Sequence, residues 1–196
     1  MESLDIEASI SHYHTALSCT TDTASGVSDE SLHPVNDVFK VSQAEEGAIK
    51  QLEQIGYEAI RAGKVAAVIM SGGQGTRLGY SGPKGMYSIG LLSGKSIFQL
   101  HLERLQKVRL LASSELEPKV SLPVFIMTSD VNDEIIQKYF KENNYFGYPA
   151  NQIFFFEQGL EPCFTPEGKI MLESADSLCL APDGNGGIYH ALKKSG

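Results

Sequence analysis

This 196-residue chain has only three cysteines, and Cys19, Cys163 and Cys179 lie far apart with no Cys-x-x-Cys pair among them. An odd, scattered set excludes a disulfide framework or a zinc site, so free thiols in a reducing compartment are expected. Positive charge is scarce as well. Sixteen Lys and Arg face 24 Asp and Glu, for a net charge of −8 and a pI near 5.1. That balance argues against nucleic acid or an anionic membrane as the main partner. No apolar run is long enough to span a bilayer, and Met1-Glu2-Ser3-Leu4-Asp5 lacks the basic start of a signal peptide. The expected compartment is the cytoplasm. What is present, 42% hydrophobic and 20% charged residues, suits one globular domain with a core of its own.

Residues 1–41 are rich in Ser, Thr and acid, and Lys40 is their one cation. Such a segment offers little apolar surface to offset ordering entropy, so a mobile acidic tail is expected, with at most a helical turn near Ile6 to Tyr13. From Ser42 the pattern changes. Ile49, Leu52, Ile55, Ala59 and Ile60 recur at helical spacing and Gly63 ends the run. Val65 to Met70 are apolar without alternation, as in a strand buried on both faces. Ser96-x-x-Gln99 reads as a capping box opening an amphipathic helix through Leu111. Leu122 to Thr128 is a second strand, Asp130 to Asn143 a helix, and Gln152 to Glu157 a third core strand. A Pro166-Glu167-Gly168 turn suggests a hairpin excursion, Leu178 to Ala181 a fourth strand, and Ile188 to Lys194 a helix. Strands alternating with helices predict a doubly wound, mostly parallel α/β sheet with helices on both faces, and ligands beyond the C-terminal strand ends.

The first strand runs into Ser71-Gly-Gly-Gln-Gly75-Thr-Arg77-Leu-Gly79, then Pro83-Lys84-Gly85. Glycines here let backbone N–H groups approach an anion, while Arg77 and Lys84 supply positive charge. A P-loop would need Lys and then Ser or Thr directly after its last glycine, where this chain has Tyr80 and Ser81. A dinucleotide fingerprint fits poorly too, since Gly79 falls one place late and no acid occurs before Glu103. A second turn, Pro182-Asp183-Gly184-Asn185-Gly186-Gly187, would let backbone approach a base or sugar while Asn185 hydrogen-bonds it. Gln158, after the third strand, has the donor and acceptor that a uracil edge requires; a loop residue bonding backbone is an equal reading of it.

The string Gly72 to Gly79, with Pro83-Lys84-Gly85-Met86-Tyr87, Lys95-Ser96-Ile97-Phe98-Gln99 and Ala181 to Tyr189, resembles the eukaryotic UDP-N-acetylhexosamine (UDP-N-acetylglucosamine) pyrophosphorylases. The resemblance runs from about Gly63 to Leu192 and implies a Rossmann-like nucleotidyltransferase fold, with residues 42–196 as the N-terminal part of its nucleotide-binding α/β domain. It implies UTP and N-acetylglucosamine-1-phosphate as substrates, with UDP-N-acetylglucosamine and pyrophosphate as products. Gly72, Gly73, Gln74, Gly75 and Thr76 would then hold the nucleotide, with Arg77 at the β and γ phosphates and Lys84 at the α-phosphate. Gln158 and Gly184 would contact the base, and Asn185 the N-acetyl sugar; where the family usually shows two glutamines, this chain has Glu157 before Gln158. The resemblance also implies Mg²⁺, whose ligating aspartate is expected downstream of Gly196, so that this chain is a partial form with little activity alone. A pyrophosphorylase for another UDP-sugar, such as UDP-glucose, and a noncatalytic nucleotide-binding or regulatory module are the alternatives.

Overall fold

A computed structural model describes residues 4–21, 33–113 and 120–195. In chain order its elements are α1 (Ile6–Thr21), α2 (Glu46–Arg61), β1 (Ala67–Met70), α3 (Ile97–Ala112), β2 (Val124–Thr128), α4 (Asp133–Glu142) and β3 (Ile153–Glu157). Then come β4 (Leu160–Pro162), β5 (Leu172–Ser174), β6 (Ser177–Leu178), β7 (Leu180–Pro182) and α5 (Ile188–Lys194). They form two compact units, one of residues 44–159 with 184–196, the other of residues up to 43 with 160–183.

The larger unit holds a parallel sheet in the order β1-β2-β3, with Val68 opposite Phe125 and Phe125 opposite Phe154. One face buries Val124, Ile126 and Ile153 against Phe98 and Leu102 of α3 and Ile136 and Phe140 of α4. On the other, Met127 and Phe156 meet Ala191, Ile188 and Leu192 of α5. Helices therefore lie on both faces of the parallel sheet at β2. Strand β1, expected to be buried on both faces, leaves Val68 and Met70 exposed, because α5 packs on Met127 and Phe156 and does not extend over it. The capping box at α3 is half made. Ser96 Oγ accepts the Gln99 N–H at 3.2 Å, but the Gln99 amide donates to Glu103 at 3.0 Å instead of turning back. Lys95 also donates to Glu103, at 2.6 Å, and holds that carboxyl below its usual range. A second adjustment concerns α2, which starts at Glu46 after a 3-10 turn at Val41–Gln43.

In the smaller unit α1 is a full helix where a single turn was expected. Asp5 caps it through the Ala8 N–H at 2.9 Å, and Tyr13 stacks on Phe164 with ring centroids 5.1 Å apart. The expected fourth core strand is not one. Its residues divide between β6, paired antiparallel with β5, and β7, paired antiparallel with β4. Half its length is given to a local hairpin, because β5 and β6 pair directly across the two-residue turn Ala175-Asp176, and Cys179 N–H then bonds the Met171 carbonyl. The Cys163 N–H donates to the Cys179 carbonyl, continuing the β4–β7 pairing by one residue, and neither thiol is in a disulfide.

Candidate active site

At the C-terminal end of β1 the ladder continues one residue into the glycine turn. Ser71 donates both its N–H and its hydroxyl to the Met127 carbonyl, at 2.9 and 2.8 Å. The turn is then held from below by the start of α4. Asn132 Nδ2 and Ser129 Oγ both donate to the Gly72 carbonyl, at 2.9 and 3.1 Å, and Asn132 Oδ1 accepts from the Gln74 amide at 2.7 Å. Asn132 occupies the N-cap position of α4, where an Asn side chain ordinarily accepts a helix N–H. Here it makes no capping bond and is fully buried under the glycine turn.

The loop returns on itself to bring its lysine back. Gly75 N–H donates to the Gly82 carbonyl at 2.9 Å and Lys84 N–H to the Gly73 carbonyl at 3.2 Å. Gly85 lies against the ring of Phe98, which a Cβ would approach to 2.3 Å; glycine is required for α3 to pack this close to the lysine turn. On the opposite wall, Gln158 N–H bonds the Thr128 carbonyl at 3.0 Å and its carboxamide lies across Gly72. Gly184, at φ 76° and ψ −167°, occupies a region open essentially to glycine alone, and turns the chain into Asn185–Gly187 and α5.

These pieces enclose a cleft of about 380 Å³ whose walls include Gly72, Gly73, Lys84, Gln158 and Asn185, together with Ile97, Phe98 and His101 of α3. Five of the ten residues expected to form the site thus share one cleft. Gln74 and Thr76 stand on the exposed outer limb of the turn, Gly75 is buried within it and Gly184 is exposed one residue from the wall. Arg77 is exposed on the Thr76–Leu78 3-10 turn, outside the cleft wall. Sequence reading missed Ser129, Asn132 and His101. An Asn directly before an acidic helix start was the available sign of the second, but it reads as a cap until its side-chain partner is seen.

The cleft wall carries no carboxylate, and no group of three or more His, Cys, Asp or Glu among the described residues gathers as metal ligands. These residues do not fit a magnesium site. No helix among them is long and apolar enough to cross a membrane.

A family model described as UTP--glucose-1-phosphate uridylyltransferase matches residues 10–196. The chain belongs to this uridylyltransferase family. Among curated relatives of this chain, UDP-N-acetylglucosamine diphosphorylase 2 of Arabidopsis thaliana is 47% identical over 83% of this chain and 33% of its own length. UDP-N-acetylglucosamine pyrophosphorylase of Saccharomyces cerevisiae is 46% identical over 72% of this chain and 29% of its own. The chain therefore spans about a third of the length of the curated relatives it matches. Its fold is similar to part of the UDP-N-acetylglucosamine pyrophosphorylase of Trypanosoma brucei, with a TM-score of 0.79 at 34% identity over 92% of this chain and 36% of that one. A UDP-glucose pyrophosphorylase from Leishmania major, at 19% identity and a TM-score of 0.57, covers 93% of this chain and 36% of its own and shares the fold alone.

Proposed function

We propose that this chain carries the nucleotide-binding part of a UDP-N-acetylglucosamine pyrophosphorylase. The reaction joins UTP and N-acetylglucosamine-1-phosphate to give UDP-N-acetylglucosamine and pyrophosphate. The observation that supports it is the meeting of Lys84, the Gly72-Gly73 backbone, Gln158 and Asn185 in one cleft without a carboxylate. A nucleotide held there meets a backbone and a cation suited to phosphate, and two carboxamides suited to a base and a sugar amide.

The sugar-phosphate oxygen attacks the α-phosphorus and the bond to the pyrophosphate oxygen breaks. The protein's part is to hold both anions in line and to meet the charge on the non-bridging oxygens. In this reading Gly72, Gly73, Gln74, Gly75 and Thr76 form the nucleotide cradle, and Lys84 faces the α-phosphate. Arg77 reaches the outer phosphates from the exposed turn, Gln158 and Gly184 serve the uracil, and Asn185 the N-acetyl group. Magnesium would arrive with the triphosphate. The greater identity to enzymes named for the amino sugar than to one named for glucose favours the amino sugar.

Calorimetry with UTP, followed by pyrophosphate release with N-acetylglucosamine-1-phosphate and magnesium, tests the reading. UTP is expected to bind and Lys84→Ala to weaken it about tenfold or more, the scale of one charge-assisted contact. Failure of the wild-type chain to bind UTP, or equal affinity in the variant, refutes it.

A further inference from the structure

We propose that His101 is a phosphate-contacting residue of the cleft, so that its imidazolium joins Lys84 in binding the polyphosphate and makes nucleotide affinity depend on pH. This rests on the nucleotide reading above and adds a residue to it that neither of the glycine motifs contains.

The position follows from helix geometry. Ile97, Phe98 and His101 stand at i, i+1 and i+4 of α3, on one side of its first turns, and all three line the cleft. That side is held against the lysine turn by the Phe98 ring under Gly85, which fixes the register of α3 against Lys84. Farther along, Leu105 continues the same stripe into the core, so His101 stands where the stripe leaves the core and meets the cleft. Among the residues lining the cleft, Lys84 and His101 are the two that can carry charge, and both can carry only positive charge. His101 is exposed to the cleft's solvent, and a phosphate beside an imidazole favours the charged form of the ring.

The neighbours offer little competition. On α3, Arg104 lies one turn on and Glu103 is already paired with Lys95. The turn packed against the start of α3 contributes Lys84. Helix α2 meets α3 at its far end, where Arg61 donates to the Ala112 carbonyl at 2.9 Å, and the 144–147 turn adds the Tyr145 phenol. No carboxylate among the cleft-lining residues would pair with His101 in the absence of ligand.

The test is calorimetry of UTP binding to the full chain between about pH 5.5 and 8, the range over which histidine titrates. Each titration is run in two buffers of different ionisation enthalpy, which counts the protons taken up. His101→Gln keeps size and helix propensity without the charge, and His101→Arg keeps the charge at every pH. UTP itself titrates in this window, and the comparison with His101→Gln removes that contribution.

Wild-type affinity is expected to rise about 3- to 10-fold more than that of His101→Gln as pH falls, with the extra proton uptake lost in the variant. His101→Arg should bind at pH 8 as the wild type does at low pH. Uridine, which has no phosphate, should bind wild type and His101→Gln alike. Equal pH profiles and equal proton uptake in wild type and His101→Gln, with UTP still bound, overturn the assignment and leave the nucleotide reading standing. Absence of UTP binding in every variant at every pH overturns both.

Discussion

Replacing Asn132 by alanine is the sharpest test of how the glycine turn is held. The change removes the 2.9 Å bond to the Gly72 carbonyl and the 2.7 Å bond from the Gln74 amide, from a side chain with no exposed surface. Each bond contributes about 1 kcal/mol net. The Gly72 carbonyl keeps Ser129 Oγ at 3.1 Å, and Gln74, being exposed, returns its amide to water, so neither group is stranded at full cost. With a small vacated volume added, the loss is about 2–3 kcal/mol. For a chain of this size that lowers Tm by roughly 4–12 °C. Asn132→Asp keeps shape and acceptor but sets a carboxylate oxygen against a carbonyl, and should lose at least as much at neutral pH. Thermal unfolding gives the first number. UTP affinity, measured well below the lowered Tm, gives the second, with about tenfold weakening expected, or ~1.4 kcal/mol. A Tm within about 1 °C of wild type, against the 4–12 °C expected, would refute the clamp. A lowered Tm with unchanged affinity would mean that Asn132 supports the fold while the turn holds its shape without it.

Gly72→Ala separates binding from stability. Its Cβ would lie 2.7 Å from Gln158 Nε2, the mobile end of a long side chain, so Gln158 swings aside at small cost and Tm should stay within a few degrees, while preference for uridine over other nucleosides falls. Unchanged base preference by competition binding would show that Gln158 does not read the base. The Glu103 carboxyl, lowered chiefly by the Lys95 hydrogen bond, stabilises the fold above its ordinary value near 4.5, and that contribution is lost as pH falls through its depressed value. A small Tm deficit of Lys95→Ala at neutral pH should therefore vanish below that value, and a deficit that persists in acid would place its origin elsewhere.

The order of elements could be read directly from residues. Val65 to Met70, Leu122 to Thr128 and the Phe154-Phe155-Phe156 run have no polar alternation, which points to a parallel sheet between helices. Strand β2 is covered on both faces, but Val68, Met70 and Phe154 stay exposed, because α5 packs on Met127 and Phe156 and leaves the rest of that face open. The helices announced themselves by their spacing, and the two glycine turns by an excess of glycine beyond what a reversal needs. Leu178 to Ala181 looked the same as a core strand because a short apolar run does not say with what it pairs. The adjacent Ala175-Asp176 turn drew its first half into antiparallel pairing with β5, and its second half pairs with β4. Half of a capping box likewise gave way to Glu103, a partner one turn along the same helix.

Local pattern determined this protein's strands, helices, glycine turns and family signature, because each depends on residues a few positions apart. Tertiary structure alone decided which of the site residues share a cleft. Asn132 reaches Gly72 across 60 residues and Gln158 lies over the same glycine from the end of another strand. His101 faces Lys84's cleft only because Phe98 packs beneath Gly85. Side-chain periodicity reports which face of an element is apolar; which elements that face meets, and so which polar groups converge, is set by the packing of the sheet as a whole.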